Sequence, residues 1–199
     1  FGRFLYTKIL SYFVNKKRIE KEYFDIMNYE YKTIKKYIPD NCKNILSIGG
    51  GWGGLESIIN KDFTNISFNL VEKNYVSKKI VYGWDRKNNE AYNNLNLTKK
   101  FMLDNGVQLE KIKLYDYDND ELPNTKFDII LSLYSLEYHY QLELYLDYFK
   151  KINEDYTIFI FDTVNPNRMK EIFKEVKIIH EPQTSDHNSK RVLCRGFLK

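Results

Sequence analysis

The chain has 199 residues, 43% of them hydrophobic, and its 31 Lys and Arg against 27 Asp and Glu leave a formal net charge of +4. That length fits one domain with a proper buried core and leaves no room for a second catalytic domain. The charge is uneven: residues 1–40 hold nine Lys and Arg against five Asp and Glu, whereas residues 41–199 balance at 22 each. A neutral body with no Lys/Arg run argues against a dedicated nucleic-acid groove, which concentrates positive charge along one face.

Two further exclusions come from individual residues. The only cysteines, Cys42 and Cys194, match no Cys-x-x-Cys or metal-ligand spacing. They read as small buried hydrophobes of a reducing compartment, with the cytoplasm the expected location and no metal expected. The apolar stretch from Phe4 to Val14 carries Lys8 and reaches about half of the ~20 residues a membrane span requires, so no span is expected.

In chain order, the pattern predicts helices over Arg3–Asn15 and Arg18–Tyr37, the second stopping before Pro39. Residues 1–40 thus form a basic helical extension, and residues 41–199 the main domain. From there apolar runs alternate with helical ones. Strand Asn44–Ile48 leads to helix Gly53–Asn60, strand Ile66–Val71, a helix near Asn89–Asn105, strand Ile112–Tyr115 and strand Phe127–Leu133. Helix Gln141–Ile152, strand Thr157–Phe161, helix Asn167–Phe173, strand Val176–His180 and strand Val192–Phe197 complete the series. Such alternation is the signature of an α/β fold, a Rossmann-like doubly wound sheet. The loop from Glu181 to Lys190 is too short and irregular for a crossover helix, so the last strand should run antiparallel against six parallel ones.

In such sheets the ligand lies across the carboxyl ends of the strands, so the residues that follow each strand carry the function. After the first strand comes Gly49-Gly50-Gly51-Trp52-Gly53-Gly54. It satisfies Gly-x-Gly-x-Gly (Gly49, Gly51, Gly53) and also the dinucleotide pattern Gly-x-Gly-x-x-Gly (Gly49, Gly51, Gly54), so the glycines alone leave two nucleotide cofactors open. After the second strand, Glu72 can accept two hydrogen bonds from a ribose diol. After the third, Asp116 and Tyr117 offer an acceptor for an adenine amino group and an aromatic face for its ring. Ser132 and Leu133 follow the fourth.

This ordered set resembles class I S-adenosylmethionine-dependent methyltransferases over about Asn44–Lys199. Within them, Tyr82-Gly83-Trp84, then Ala91 to Leu95, then Ser132-Leu133 up to His139-Tyr140, are similar to a bacterial group of sugar O-methyltransferases associated with capsule and surface-glycan biosynthesis. The resemblance implies S-adenosyl-L-methionine as cofactor, S-adenosyl-L-homocysteine as product, and a small sugar, sugar-nucleotide or phosphoryl-type acceptor. It departs at Ser47, where the superfamily usually carries Asp or Glu. Ser47 can still reach the methionine amine through water, without a charge.

An in-line methyl transfer to a hydroxyl needs alignment and a base, and His139, with a near-neutral imidazole, is the candidate base. Tyr82, Tyr140, Asp162 and Arg168 are candidates for binding the acceptor. A nicotinamide oxidoreductase is disfavoured because Tyr-x-x-x-Lys occurs only at Tyr12, Tyr31 and Tyr75, all too early for that chemistry. An amine or RNA acceptor, and a non-catalytic cofactor-binding module, stay open as alternatives. The basic extension is expected to serve as a lid or acceptor platform, and whether it also pairs subunits in a homo-oligomer is left open.

Overall fold

The computed structural model describes residues 8–9, 11–77, 91–137, 140–181 and 188–198. Of the first expected helix, residues 8–9 and 11–13 are helical. The first complete helix, α1 (Lys16–Ile34), begins where Asn15 accepts a hydrogen bond from the Arg18 N–H, and it runs into a single 3-10 turn over Lys35–Tyr37.

Seven strands form one sheet: β1 (Asn44–Ile48), β2 (Ser67–Glu72), β3 (Ile112–Asp116), β4 (Ile129–Ser132), β5 (Ile158–Thr163), β6 (Phe173–His180) and β7 (Lys190–Phe197). Their order is β3-β2-β1-β4-β5-β7-β6. All run parallel except β7, which inserts antiparallel between β5 and β6. The chain reverses its direction of winding between β1 and β4, which places the switch point at the end of β1. Asp128 fixes that strand's start: one carboxylate oxygen accepts from the N–H groups of both Lys43 and Asn44 at 2.8 Å.

The central strands are buried on both faces, as a parallel sheet covered by helices requires. Alternate residues of β1 serve opposite layers. Ile45 packs with Tyr31 and Ile34 of α1, Ile58 and Ile59 of α2 (Gly54–Asp62) and Met102 of α3 (Leu95–Asp104). Leu46 and Ile48 face Tyr145, Phe149 and Ile152 of α4 (Glu143–Ile152), where Phe159, Phe161 and Phe173 form a chain of ring contacts.

Three expected elements are shifted. The helix expected near Asn89–Asn105 begins at Leu95, because Asn94 caps it by accepting from the Leu97 N–H, and Tyr92 instead bridges Val76 as a short antiparallel pair. Residues 78–90 lie outside the described part. The helix expected over Asn167–Phe173 is a four-residue turn, α5 (Pro166–Met169), capped by Asn165. Phe173 belongs to β6, where it pairs with Phe197, and this wins over the helical periodicity because its ring completes the core.

Candidate functional site

The turn after β1 takes its shape from glycines with positive φ at Gly49 (73°), Gly51 (60°) and Gly53 (74°). Gly51 is the one that faces outward. A Cβ built there would meet no heavy atom within 4 Å, so its left-handed conformation leaves a bare stretch of backbone toward open space. Both of its peptide groups are fixed. Its N–H donates to Glu72 Oε1 at 2.5 Å, and its carbonyl accepts from Asn93 Nδ2 at 3.0 Å and Thr98 Oγ1 at 3.1 Å. Gly54 has a different role: a Cβ would fall 2.2 Å from the Tyr23 hydroxyl, so the missing side chain is what lets α1 seat on the start of α2.

Two depressions meet at this turn, and Ile48 and Gly49 border both. The smaller recess is walled by Glu72, Lys73, Tyr117, Tyr140 and Tyr145. The larger is a cavity of about 830 Å³ between α1 and the glycine turn. Its walls are mostly apolar, with Tyr23 and Phe24 of α1, Trp52 of the turn and Phe101 of α3 in mutual ring contact at 5.8–6.3 Å. Ser47, Leu133, Tyr134, Glu30 and Glu56 complete it.

Glu72 ends β2 and walls the smaller recess. Burial raises its carboxyl to about 7, opposed by the Gly51 N–H and reinforced by the nearby charge of Glu56. Tyr117 beside it donates its N–H to the Glu72 carbonyl at 2.8 Å. Lys73, itself buried, pairs with Asp118 at 3.0 Å and stands 5.6 Å from the Tyr117 ring centre.

The remaining candidates fall in several places. Ser47 lines the larger cavity, and its hydroxyl donates to Glu56 Oε1 at 2.5 Å. Asp116 uses its carboxylate on its own turn: Oδ1 accepts from the Asp118 N–H and Oδ2 from Asn119 Nδ2, and these bonds hold it below the ordinary carboxylate range although desolvation opposes them. Ser132 is a buried crosspiece, donating to the Ile48 carbonyl and accepting from the Leu136 N–H, both at 3.0 Å. Leu133 borders the larger cavity, whereas Tyr140 borders the smaller recess beside Glu72 rather than the larger space.

Asp162 is buried, with both oxygens held at 2.8 Å by Arg191, which also pairs with Glu30 Oε2 at 2.5 Å and donates to Thr33 Oγ1. Arg168 is drawn to Glu137 at 2.8 Å and to Glu143, in a separate pocket that shares no residue with the glycine turn. Tyr82 and His139 lie outside the described residues. Sequence reasoning missed Glu56, Glu30 and Arg191, and gave Asn93 no site role. Only Asn93 stood in a stretch that had been singled out.

No known family pattern and no curated protein matches the sequence. Several solved structures share the fold. A protein described as an O-methyltransferase from Nostoc punctiforme PCC 73102 aligns with a TM-score of 0.60 at 10% identity, covering 86% of this chain and 57% of that one. The S-adenosylmethionine-dependent methyltransferase SibL gives 0.53 at 12%, covering 78% and 50%, and StiE O-MT residues 961–1257 give 0.51 at 10%, covering 83% and 71%. The chain thus spans about half the length of the first two. With its glycine turn and single antiparallel strand at the sheet's far side, the chain has the Rossmann-like fold of S-adenosylmethionine-dependent methyltransferases.

Proposed function

We propose that the protein is an S-adenosylmethionine-dependent O-methyltransferase for a small hydroxyl-bearing acceptor. The observation that carries this reading is the pair of spaces joined at Ile48 and Gly49, one ending in Glu72 and one walled by α1. The smaller recess itself holds only about 20 Å³, so on this reading Glu72, Tyr117 and Tyr140 mark where the ribose diol and base would anchor rather than a preformed nucleoside pocket. The bare Gly51 backbone lets the chain joining ribose and amino acid pass close to the turn. When bound, the cofactor supplies an electrophilic methyl group on a sulfonium.

The protein's own tasks are then alignment, exclusion of water and removal of one proton. Helix α1 closes one wall of the larger cavity, which supports a lid or acceptor-platform role for the extension 1–40, with residues 41–199 as the catalytic domain. Tyr134, in a left-handed conformation at φ 57°, lines the cavity beside Glu30 and within 6.0 Å of the Arg191 guanidinium. Asp162 supports that wall by holding Arg191, so its part is positioning.

The acceptor we favour is a sugar, sugar nucleotide or phosphoryl-type compound, with a place in capsule or surface-glycan biosynthesis in the cytoplasm, and it rests on the resemblance around Tyr82 to Tyr140. The aromatic walls favour a second reading, a flat apolar ring bearing a hydroxyl. The cavity's charged lining is Lys16 against Glu20, Glu30 and Glu56, the wrong balance for phosphates, which gives RNA no support and, within the favoured class, weighs toward the plain sugar over its phosphorylated forms. Among the described residues no helix is long and apolar enough to cross a membrane.

His139 is the proposed base, and its replacement tests the reading against that of a non-catalytic module. With radiolabelled methyl donor and parallel panels of sugar nucleotides and phenols, His139→Ala is expected to lower transfer by roughly 10²–10⁴-fold while affinity for S-adenosylhomocysteine stays unchanged. Transfer by neither protein to any acceptor, with cofactor binding intact, would favour the binding module. An undiminished rate would remove His139 from the mechanism.

A further inference from the structure

Glu56 sits in the first turn of α2 beneath the glycine turn and borders the larger cavity, yet is 1% exposed. One carboxylate oxygen accepts from Ser47 Oγ. The other, Oε2, has no hydrogen-bond partner among the described residues, and no described Lys or Arg pairs with either oxygen. The Ser47 hydroxyl, the backbone N–H of Glu56 and the helix N-terminus relieve it only in part. Tyr23 of α1 and Glu72 of β2 are the titratable groups that feel its charge, and both carry or develop negative charge. Burial accordingly raises the carboxyl of Glu56 above its ordinary value. A buried, half-satisfied carboxylate is destabilising by itself, and a glutamine or leucine of similar size would fill the place more favourably.

The position explains what it is for. Glu56 Oε1 would lie 3.2 Å from a Cβ on Gly50, so the carboxylate stands directly under the backbone over which a ligand must pass. Glu72 lies on the other side of the same turn, held to the Gly51 N–H. Two acids thus flank the glycines, one placed for a diol and the other lacking a cation. We infer that Glu56, presented together with Ser47, is the residue that recognises the ammonium group at the amino-acid end of the cofactor, and so selects an amino-acid-bearing nucleoside over a plain one.

This inference rests on the proposed cofactor, and a pair of ligands separates the two. S-adenosylhomocysteine carries the ammonium group; 5′-methylthioadenosine keeps the nucleoside and sulfur without it. In calorimetric titrations, Glu56→Gln is expected to weaken S-adenosylhomocysteine roughly ten- to hundredfold, the loss of one charge-assisted contact, and to leave 5′-methylthioadenosine unchanged. Retained binding of the second nucleoside also reports that the variant is folded. Because Ser47 Oγ lies 2.5 Å from Glu56 Oε1, the double variant Ser47→Asp, Glu56→Gln returns a carboxylate to nearly the same point and should recover most of the loss. Equal affinity of Glu56→Gln and wild type for S-adenosylhomocysteine would overturn the assignment. So would a double variant that binds 5′-methylthioadenosine normally but S-adenosylhomocysteine no better than Glu56→Gln. A wild-type protein that binds neither nucleoside would overturn the proposed function, and this inference with it.

Discussion

Replacing Arg191 with methionine is expected to lower the free energy of unfolding by about 3–5 kcal/mol, measured by urea denaturation. Arg191 on β7 is 1% exposed and draws together Asp162 of β5 and Glu30 of α1, both almost as deeply buried. Methionine fills much of the same volume but leaves two carboxylates with no cation in a low-dielectric interior, and that uncompensated charge is the source of the loss. Converting all three together, with Glu30→Met and Asp162→Leu added, should recover much of the stability, because the desolvation cost then disappears with the charges. The network also ties α1 to the sheet. Cofactor affinity of Arg191→Met should therefore fall further than its residual stability alone accounts for. A single-variant cost below about 1 kcal/mol would mean that the triad is strongly hydrated and does not hold the cavity wall.

The second large effect is expected at Glu72. Glu72→Ala removes the acceptor proposed for both ribose hydroxyls, each a charge-assisted hydrogen bond. S-adenosylhomocysteine affinity should drop by about 10²-fold or more, with 5′-methylthioadenosine weakened alongside it. That common loss distinguishes Glu72 from Glu56. The raised carboxyl of Glu72, about 7 in the folded protein against an ordinary value of 4.5, adds a pH signature. Because the folded state holds its proton more tightly, the contribution to stability is fully present below about pH 4.5 and is lost as pH rises through about 7. A diol that donates to the carboxylate prefers the ionised form, so cofactor affinity should strengthen over the same interval. Glu72→Gln should flatten both trends. Unchanged pH profiles in that variant would assign the titration to another group.

Much of the fold was legible because its signals are local. The step from ILSI into five glycines, the period of the flanking runs, and the short loop before β7 all act within a few residues. The proximity of the residues proposed for the cofactor was legible for the same reason: Gly49, Glu72 and Tyr117 follow or end neighbouring parallel strands, where topology alone brings them together. What escaped depends on distance in sequence. Arg191 meets Thr33 across 158 positions, and no periodicity announces that pairing. Glu56 looked like an ordinary first-turn helix acid, which the helix dipole alone would favour, and only packing against Ser47 shows that it is buried. Asp162 was read from the end of the expected strand Thr157–Phe161, and Arg168 as a charge to grip the acceptor. The competing side chains Arg191, Glu137 and Glu143, which engage them, come from other elements. The helix expected up to Phe173 stopped early because tertiary packing of that ring overrode local propensity.

The most direct test of the central claim is calorimetric titration of the wild-type protein with S-adenosylmethionine, S-adenosylhomocysteine and NADH in parallel. Saturable micromolar binding of the first two with no heat from NADH is the predicted result, since the proposed function assigns Glu72, Gly51 and the α1-walled cavity to a nucleoside bearing an amino acid. Selective binding of NADH would contradict the account, because the smaller recess would then hold one half of a dinucleotide and the methyl-transfer reading would fall.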